Sequence, residues 1–146
     1  MYSVDDWNLS FPLHTSFILD SIDWERCPVS LKLVYYGHPA LRKKAEPIAE
    51  INDEIRELVA GMREIAHDGL GLAANQVGKL LRVFIFRYYE SIDPEKEQAQ
   101  ISPFYTCINP RILDLSKTTE RAIDGCLSIP GVQIYSNRPD YVKFEA

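Results

Sequence analysis

The sequence predicts an α+β fold with one amphipathic helix and a largely antiparallel arrangement of short strands. Apolar residues recur at helical spacing between positions 51 and 66. After position 80 the chain changes to short β-branched and aromatic segments separated by turn residues. A chain of 146 residues has room for one domain with a single core.

The helix is predicted from residue 51 to residue 66, where the apolar side chains form one stripe. Asn52 or Asp53 can cap its first turn, and the acidic residues there suit the positive end of the helix dipole. Gly69 suits the C′ position that commonly ends a helix.

The first half of the chain also predicts two extended segments. Residues 31–36 form a short strand or extended segment, which Gly37 and Pro39 stop. Residues 82–89 are apolar on both faces and predict a buried strand. Residues 91–103 are polar and charged, which predicts an exposed loop.

Four further strands are predicted in the second half of the chain. Residues 104–108 and 112–115 are separated by an Asn-Pro break. Residues 132–135 and 141–144 flank a segment rich in turn residues, which predicts that these two strands form a hairpin with each other.

Composition excludes several classes of protein. The formal net charge of −5 argues against non-specific binding to nucleic acid or to an anionic membrane. No basic residue precedes Arg26, and Pro12 and His14 interrupt the early apolar stretch, so no secretory signal or membrane span is expected. Three widely spaced cysteines form no disulfide framework. We therefore expect a cytoplasmic protein with an N-terminal extension of unknown role at 1–30 and one domain at 31–146.

The glycine-rich segment at 69–78 is the first candidate for a functional site. Gly69, Gly71 and Ala74 fit the loose dinucleotide-binding pattern, but a helix precedes them and a strand follows, which is the wrong order for that site. The segment is either a strand edge of close approach, with the Gln76 amide available to an oxyanion, or a tight turn with a surface glutamine.

The second candidate is the segment 124–131, which contains Cys126. This cysteine could be a small buried apolar residue, a nucleophile or a metal ligand. A nucleophile needs a base, and the nearest histidine in the sequence, His67, is far away. Taken alone, the segment favours the buried residue.

Together the two segments resemble the first and second signature motifs of the peptide deformylases. They read Gly-Leu-Gly-Leu-Ala-Ala-Asn-Gln at 69–76 and Asp-Gly-Cys-Leu-Ser at 124–128. The stretch from His38 to Pro47 and the Cys-Ile-Asn-Pro at 107–110 are similar to the same family and occur in its order. The resemblance runs from about residue 31 to residue 146, and Asp124 stands where the family usually has glutamate.

The resemblance implies removal of the N-formyl group from nascent polypeptides, with release of formate. It implies a divalent metal, Fe²⁺ or Zn²⁺, held by one cysteine and two histidines, with a water as fourth ligand. Cys126 matches the metal ligand, Gln76 the oxyanion amide and Leu127 the backbone donor after the cysteine. The substrate-binding positions correspond to Leu70, Gly71 and Gly125, where a peptide would lie as an added strand.

The third family signature, HExxH, is absent from this sequence. The three histidines are His14, His38 and His67, and none precedes a glutamate. The chain is expected to end at Ala146 before that helix, so that it lacks two ligands and the base, does not stably hold the metal and is inactive alone. His67 would at best add one ligand, and it suits instead the C-terminal end of the helix.

Three interpretations remain open for such a chain. It is a shortened deformylase, a deformylase-like protein that binds peptides without catalysis, or one half of a complex in which another chain supplies the missing helix. The expected partners are N-formylated nascent peptides and the ribosome. An apolar sheet face left uncovered around 83–89 would favour self-association.

Overall fold

A computed structural model describes residues 30–93 and 98–146 of the chain. The predicted extension at 1–30 therefore lies outside the described residues except for Ser30, and the division of the chain at residue 30 stays a prediction. In chain order the helix and strands are α1 (Asp53–Ile65), β1 (Gly71–Ala73), β2 (Val83–Phe86), β3 (Tyr89–Asp93), β4 (Gln98–Ile101), β5 (Tyr105–Ile108), β6 (Arg111–Leu115), β7 (Thr119–Cys126), β8 (Ile129–Pro139) and β9 (Val142–Glu145). All strand pairs are antiparallel, and the predicted α+β class is confirmed.

Helix α1 begins at Asp53, directly after Asn52, which is one of the two caps that the sequence predicts. The side chain of Asn52 accepts a hydrogen bond from the backbone N–H of Ile55 at 3.1 Å and caps the first turn. The predicted C′ role of Gly69 is wrong, because the helix ends at Ile65 with Ala66 as its C-cap. Gly69 is also absent from the described glycines with positive φ, the conformation that a C′ glycine supplies.

Strands β1, β2 and β5 form a three-stranded sheet in the order β1-β2-β5, and α1 packs on one of its faces. Val83 and Ile85 of β2 point into this core and are 3% and 0% exposed. On the opposite face, Phe84 and Phe86 are half-buried, and both rings contact the ring of Phe144. The two apolar faces of this strand are therefore both at least partly covered.

The largest exposed apolar side chains of the second half of the chain lie mainly in β6, β7, β8 and β9. Ile112 is 64% exposed, Tyr135 is 65% exposed and Ile123 is 60% exposed. The expectation of an uncovered apolar face around 83–89 is therefore wrong for β2, and the exposed apolar side chains lie mainly in these later strands. Among the described residues, no helix is long and apolar enough to cross a membrane.

The prediction that 91–103 is a loop is wrong, although residues 91 and 99–101 are exposed as expected. Strands β3 and β4 pair with each other across this segment, and the buried hydroxyl of Ser102 accepts a hydrogen bond from the backbone N–H of Tyr88 at 3.0 Å. Pairing between strands satisfies the backbone whatever the side chains are, so a polar hairpin has the composition of a loop.

The hairpin predicted between 132–135 and 141–144 is also wrong. Strand β8 pairs with β7, and β9 pairs with β6, so β8 and β9 do not pair with each other. The turn residues 136–139 lie at the end of β8 itself, opposite the first residues of β7. The partners of β8 and β9 are the earlier strands β7 and β6, and the turn residues between β8 and β9 give no information about those pairings.

Candidate functional site

Gln76 and Cys126 meet at the centre of the candidate site. The side-chain Nε2 of Gln76 donates to the Sγ of Cys126 at 3.6 Å and to the Oγ of Ser128 at 3.2 Å. The Oε1 of the same amide accepts the backbone N–H of Ala73 at 2.9 Å. Because its oxygen is engaged by β1, the amide presents its N–H groups toward Cys126.

A short 3₁₀ turn places Gln76. The turn spans Ala74–Val77 directly after β1, and Gly78 ends it in the left-handed region with φ 76°. The backbone carbonyl of Gln76 accepts the N–H of Val34 at 2.8 Å. The segment 31–36, predicted as a short strand or extended segment, lies outside any named strand, and this hydrogen bond joins it to the turn.

Cys126 is placed by the hairpin of β7 and β8. It is the last residue of β7, and Leu127 and Ser128 form the turn that leads into β8. The carbonyl of Ser128 accepts the N–H of Tyr36 at 2.9 Å, so the extended segment at 31–36 ties this turn to the turn that carries Gln76. The structure leaves the Cys126 thiol exposed, which excludes the buried apolar role.

A bulge beside Cys126 widens the hairpin. Gly125 pairs with Gln133, whereas Cys126 pairs with Ile129, so the intervening residues of β8 have no partner on β7. Gly131 lies in this bulge with φ 76°, a conformation that favours glycine. The residues of the bulge and the glycine-rich segment line the same groove.

An open groove of about 710 Å³ lies between the glycine-rich segment and the hairpin. It contains all six site residues predicted from the sequence. Its lining residues are Gly69, Leu70, Gly71, Gln76, Gly125, Cys126, Leu127, Ile129, Pro130, Gly131, Val132 and Gln133. Residues 129–131 belong to the second candidate segment, whereas Val132 and Gln133 were predicted only as part of a strand.

Strand β1 has one free edge along this groove. It is the edge strand of its sheet, and Gly71 pairs with Phe86 of β2. The carbonyl of Leu70 accepts the N–H of Arg87 and so faces β2. Because backbone groups alternate in direction along a strand, the N–H and C=O of Gly71 face the free edge.

Gly71 also allows a close approach between strands. A Cβ atom built at this position would lie 3.1 Å from the backbone oxygen of Ile85. The glycine therefore brings β1 nearer to β2 than a residue with a side chain would.

An ion pair stabilises the hairpin next to Cys126. Hydrogen bonds from Ser136 and then from Arg138 hold the pKa of the Asp124 carboxyl below its ordinary value. Asp124 thus pairs across the two strands of the hairpin.

The second described thiol lies in a different environment. Cys107 is 3% exposed in β5, and burial raises its pKa to about 11. A buried thiol of this kind is protonated and inert near neutral pH. Cys126 is therefore the accessible thiol among the described residues.

The described residues do not fit a three-ligand metal site. Among them, no group of three His, Cys, Asp or Glu side chains is placed to hold an ion. His38 accepts the N–H of Ala40 within its own turn, and His67 is exposed and pairs with Asp68 at 2.8 Å. Cys126 is thus the one candidate ligand that the groove offers from the described parts of the chain.

A family model and curated proteins both match this chain to deformylases. The family model described as polypeptide deformylase matches residues 30–146. The curated peptide deformylase of Salinibacter ruber is 36% identical over 117 residues, which cover 77% of this chain and 60% of that protein. That of Endomicrobium trichonymphae is 44% identical over 110 residues, which cover 74% of this chain and 60% of that protein.

A solved structure shares the same fold. The class I type b peptide deformylase of Acinetobacter baumannii, crystallised with Met-Ala-Ser bound, superimposes with a TM-score of 0.68 at 26% identity. The match covers 80% of this chain and 75% of that one. The chain spans about 60% of the length of the two curated relatives, those of Salinibacter ruber and Endomicrobium trichonymphae.

Proposed function

The chain belongs to the polypeptide deformylase family, and from this membership we propose that its groove binds the N-terminal end of N-formylated peptides. The observation that carries the proposal is the meeting of three features in one groove: the free edge at Gly71, the oriented amide of Gln76 and the exposed thiol of Cys126. The free edge at Gly71 recognises the peptide backbone, and Gln76 and Cys126 lie together in the same groove.

The peptide adds to β1 as a further antiparallel strand. The outward N–H and C=O of Gly71 pair with the backbone of the peptide, and Leu70 and Gly125 flank it. Because this recognition uses backbone groups, it accepts many sequences after the first residue, which suits the nascent polypeptides on which the family acts.

The formyl oxygen lies between two donors, and it replaces the Cys126 Sγ as the acceptor of one Nε2 hydrogen of Gln76. The Nε2 of Gln76 is aimed at the Cys126 end of the groove, and the backbone N–H of Leu127 follows directly after the cysteine. Such donors stabilise negative charge on a carbonyl oxygen more strongly than they bind the neutral carbonyl. They favour a formylated N terminus over a free ammonium, which has no acceptor to offer.

The reaction of the family is metal-dependent hydrolysis of the formyl group. We propose that a polypeptide of this sequence alone binds the formylated peptide without hydrolysing it, because the groove offers one candidate ligand in Cys126 and the sequence contains no HExxH. Hydrolysis then needs the remaining ligands and the base from another polypeptide segment. We place the protein in the cytoplasm, with nascent chains and the ribosome that carries them as its partners.

A second candidate is a peptide-binding protein without any catalytic partner. The free edge of β1 favours it, since that edge binds backbone with or without a metal. The two candidates differ in whether an added HExxH segment restores the release of formate.

The test compares formyl-Met-Ala-Ser with Met-Ala-Ser in a calorimetric titration of the chain. We expect tighter binding of the formylated peptide and no release of formate with added Fe²⁺. Gln76→Leu removes the amide and should abolish the preference for the formyl group. Gln100→Leu, on β4 outside the lining of the groove, is the matched control and should retain it.

Equal affinity for the two peptides would refute the assignment of the oxyanion donors. Release of formate by the chain alone would refute the proposal that it does not hydrolyse. Formate release only after addition of a synthetic HExxH segment from a relative would favour the first candidate over the second.

A further inference from the structure

Arg87 binds the turn that leads from α1 into β1. Its backbone N–H donates to the carbonyl of Leu70 at 2.9 Å, and its Nε donates to the carbonyl of Gly69 at 2.9 Å. The second arm of the guanidinium, through Nη2, donates to the carbonyl of His67. One residue at the end of β2 therefore holds three carbonyls of the segment 67–70.

The guanidinium is itself held in place from its other side. Its central carbon lies 4.6 Å from the centroid of the Phe104 ring, within the range of a cation–π contact. The carbonyls that it binds follow the C-terminal end of α1, where a positive charge is favourable. Arginine suits this position because its planar fork donates to two acceptors at once.

These contacts decide which way the backbone of β1 faces. With the carbonyl of Leu70 engaged by the backbone N–H of Arg87, the next residue, Gly71, has its N–H and C=O directed to the free edge. If the chain entered β1 shifted by one residue, the N–H and C=O of Gly71 would face β2, and those of its neighbours would face the free edge. The backbone N–H of Arg87 therefore sets the direction of Leu70, whereas the Arg87 side chain, which does not line the groove, holds the carbonyls of the turn directly before the binding edge.

We propose that Arg87 is a positioning residue for the peptide-binding edge, an inference that rests on the proposed function of that edge. It acts through the carbonyls of His67 and Gly69 and leaves the Gln76–Cys126 pair untouched. Its removal should therefore weaken the binding of the peptide backbone and leave the preference for the formyl group unchanged.

Arg82 provides a matched control on the same strand. It lies directly before β2, as Arg87 lies directly after it, and its guanidinium also donates to a backbone carbonyl, that of Pro110. Arg82→Met and Arg87→Met therefore both remove a guanidinium–carbonyl contact at an end of β2. Only Arg87 contacts the segment that carries the binding edge.

The experiment measures peptide affinity and amide hydrogen exchange for the two variants and for Arg87→Lys. We expect Arg87→Met to bind formyl-Met-Ala-Ser about tenfold more weakly than Arg82→Met. We expect the amide of Gly69, which donates to the carbonyl of Ala66 at 2.8 Å, to exchange about tenfold faster in Arg87→Met than in Arg82→Met. Arg87→Lys keeps the charge without the fork, and its affinity should lie between those of Arg87→Met and the unmodified chain.

Equal affinity and equal exchange in the two methionine variants would overturn the role of Arg87. An affinity of Arg87→Lys equal to that of the unmodified chain would overturn the requirement for a fork that bridges two carbonyls. If the unmodified chain binds no peptide, the proposed function fails, and the exchange of the Gly69 amide still tests whether Arg87 holds the turn.

Discussion

Replacement of Gly71 by alanine tests the close approach of β1 to β2. The new Cβ would lie 3.1 Å from the backbone oxygen of Ile85, closer than the 3.4–4 Å of ordinary van der Waals contact. The obstructing atom belongs to the backbone of a buried strand, so the two strands must separate. Overpacking of this kind costs about 1–3 kcal/mol, and the lower entropy of the unfolded alanine chain offsets up to about 1 kcal/mol.

The expected result is a loss of about 1–2 kcal/mol in the free energy of unfolding. In urea this corresponds to a midpoint lower by about 1 M, measured by far-UV circular dichroism. The affinity for formyl-Met-Ala-Ser should fall as well, because the binding edge moves with β1.

Gly125→Ala is the control for this substitution. A Cβ at Gly125 meets no atom within 4 Å, so its stability should equal or exceed that of the unmodified chain. The reasoning is refuted if Gly71→Ala is as stable as the unmodified chain, or if Gly125→Ala is destabilised to the same extent.

Three further predictions concern the surroundings of the site. Asn109→Ala removes two hydrogen bonds of 2.8 Å to the backbone of Ile48 and places alanine at φ 54°, and should lower the free energy of unfolding by about 1–3 kcal/mol in urea titrations. The pKa of Asp124 is lower in the folded chain than in the unfolded chain. The stability that it contributes is present above about pH 4 and is lost as the pH falls through its folded pKa, so acid titration should destabilise the unmodified chain more than Asp124→Asn. Iodoacetamide should label Cys126 in the native chain at pH 8, whereas Cys107 should be labelled only after denaturation, as peptide mapping by mass spectrometry would show.

Helix α1 and the class of the fold follow from local features of the sequence. The apolar stripe and the Asn52 cap require only residues within a few positions of each other. The pairing of β8 with β7 depends on residues that are separated by up to twenty positions, and its alternation is weak because both faces are largely exposed. Pairing over such distances leaves little local signal, and the predicted hairpin followed turn composition instead.

The roles of single site residues could be predicted from the sequence more directly than the contacts between those residues. Gly71 and Gln76 have properties, close approach and an amide donor, that the residue types themselves suggest. The meeting of Gln76 with Cys126 came from the family resemblance, because no periodicity links two residues so far apart. Arg87 could not have been found in the sequence, since a charged residue after a buried strand is ordinarily a solvated end.

The two segments that carry Cys126 and Gln76 differ in how much of their surface is buried. Of the residues in the hairpin of β7 and β8, only Ser128 in the turn is buried, whereas the turn that carries Gln76 rests on the buried Ala74 and Val77. A segment with so little buried surface opens at a free energy below that of global unfolding. We therefore expect the hairpin with Cys126 to open more readily than the turn with Gln76. A strand-like ligand that contacts both should slow amide exchange in the hairpin before it changes the stability of the core.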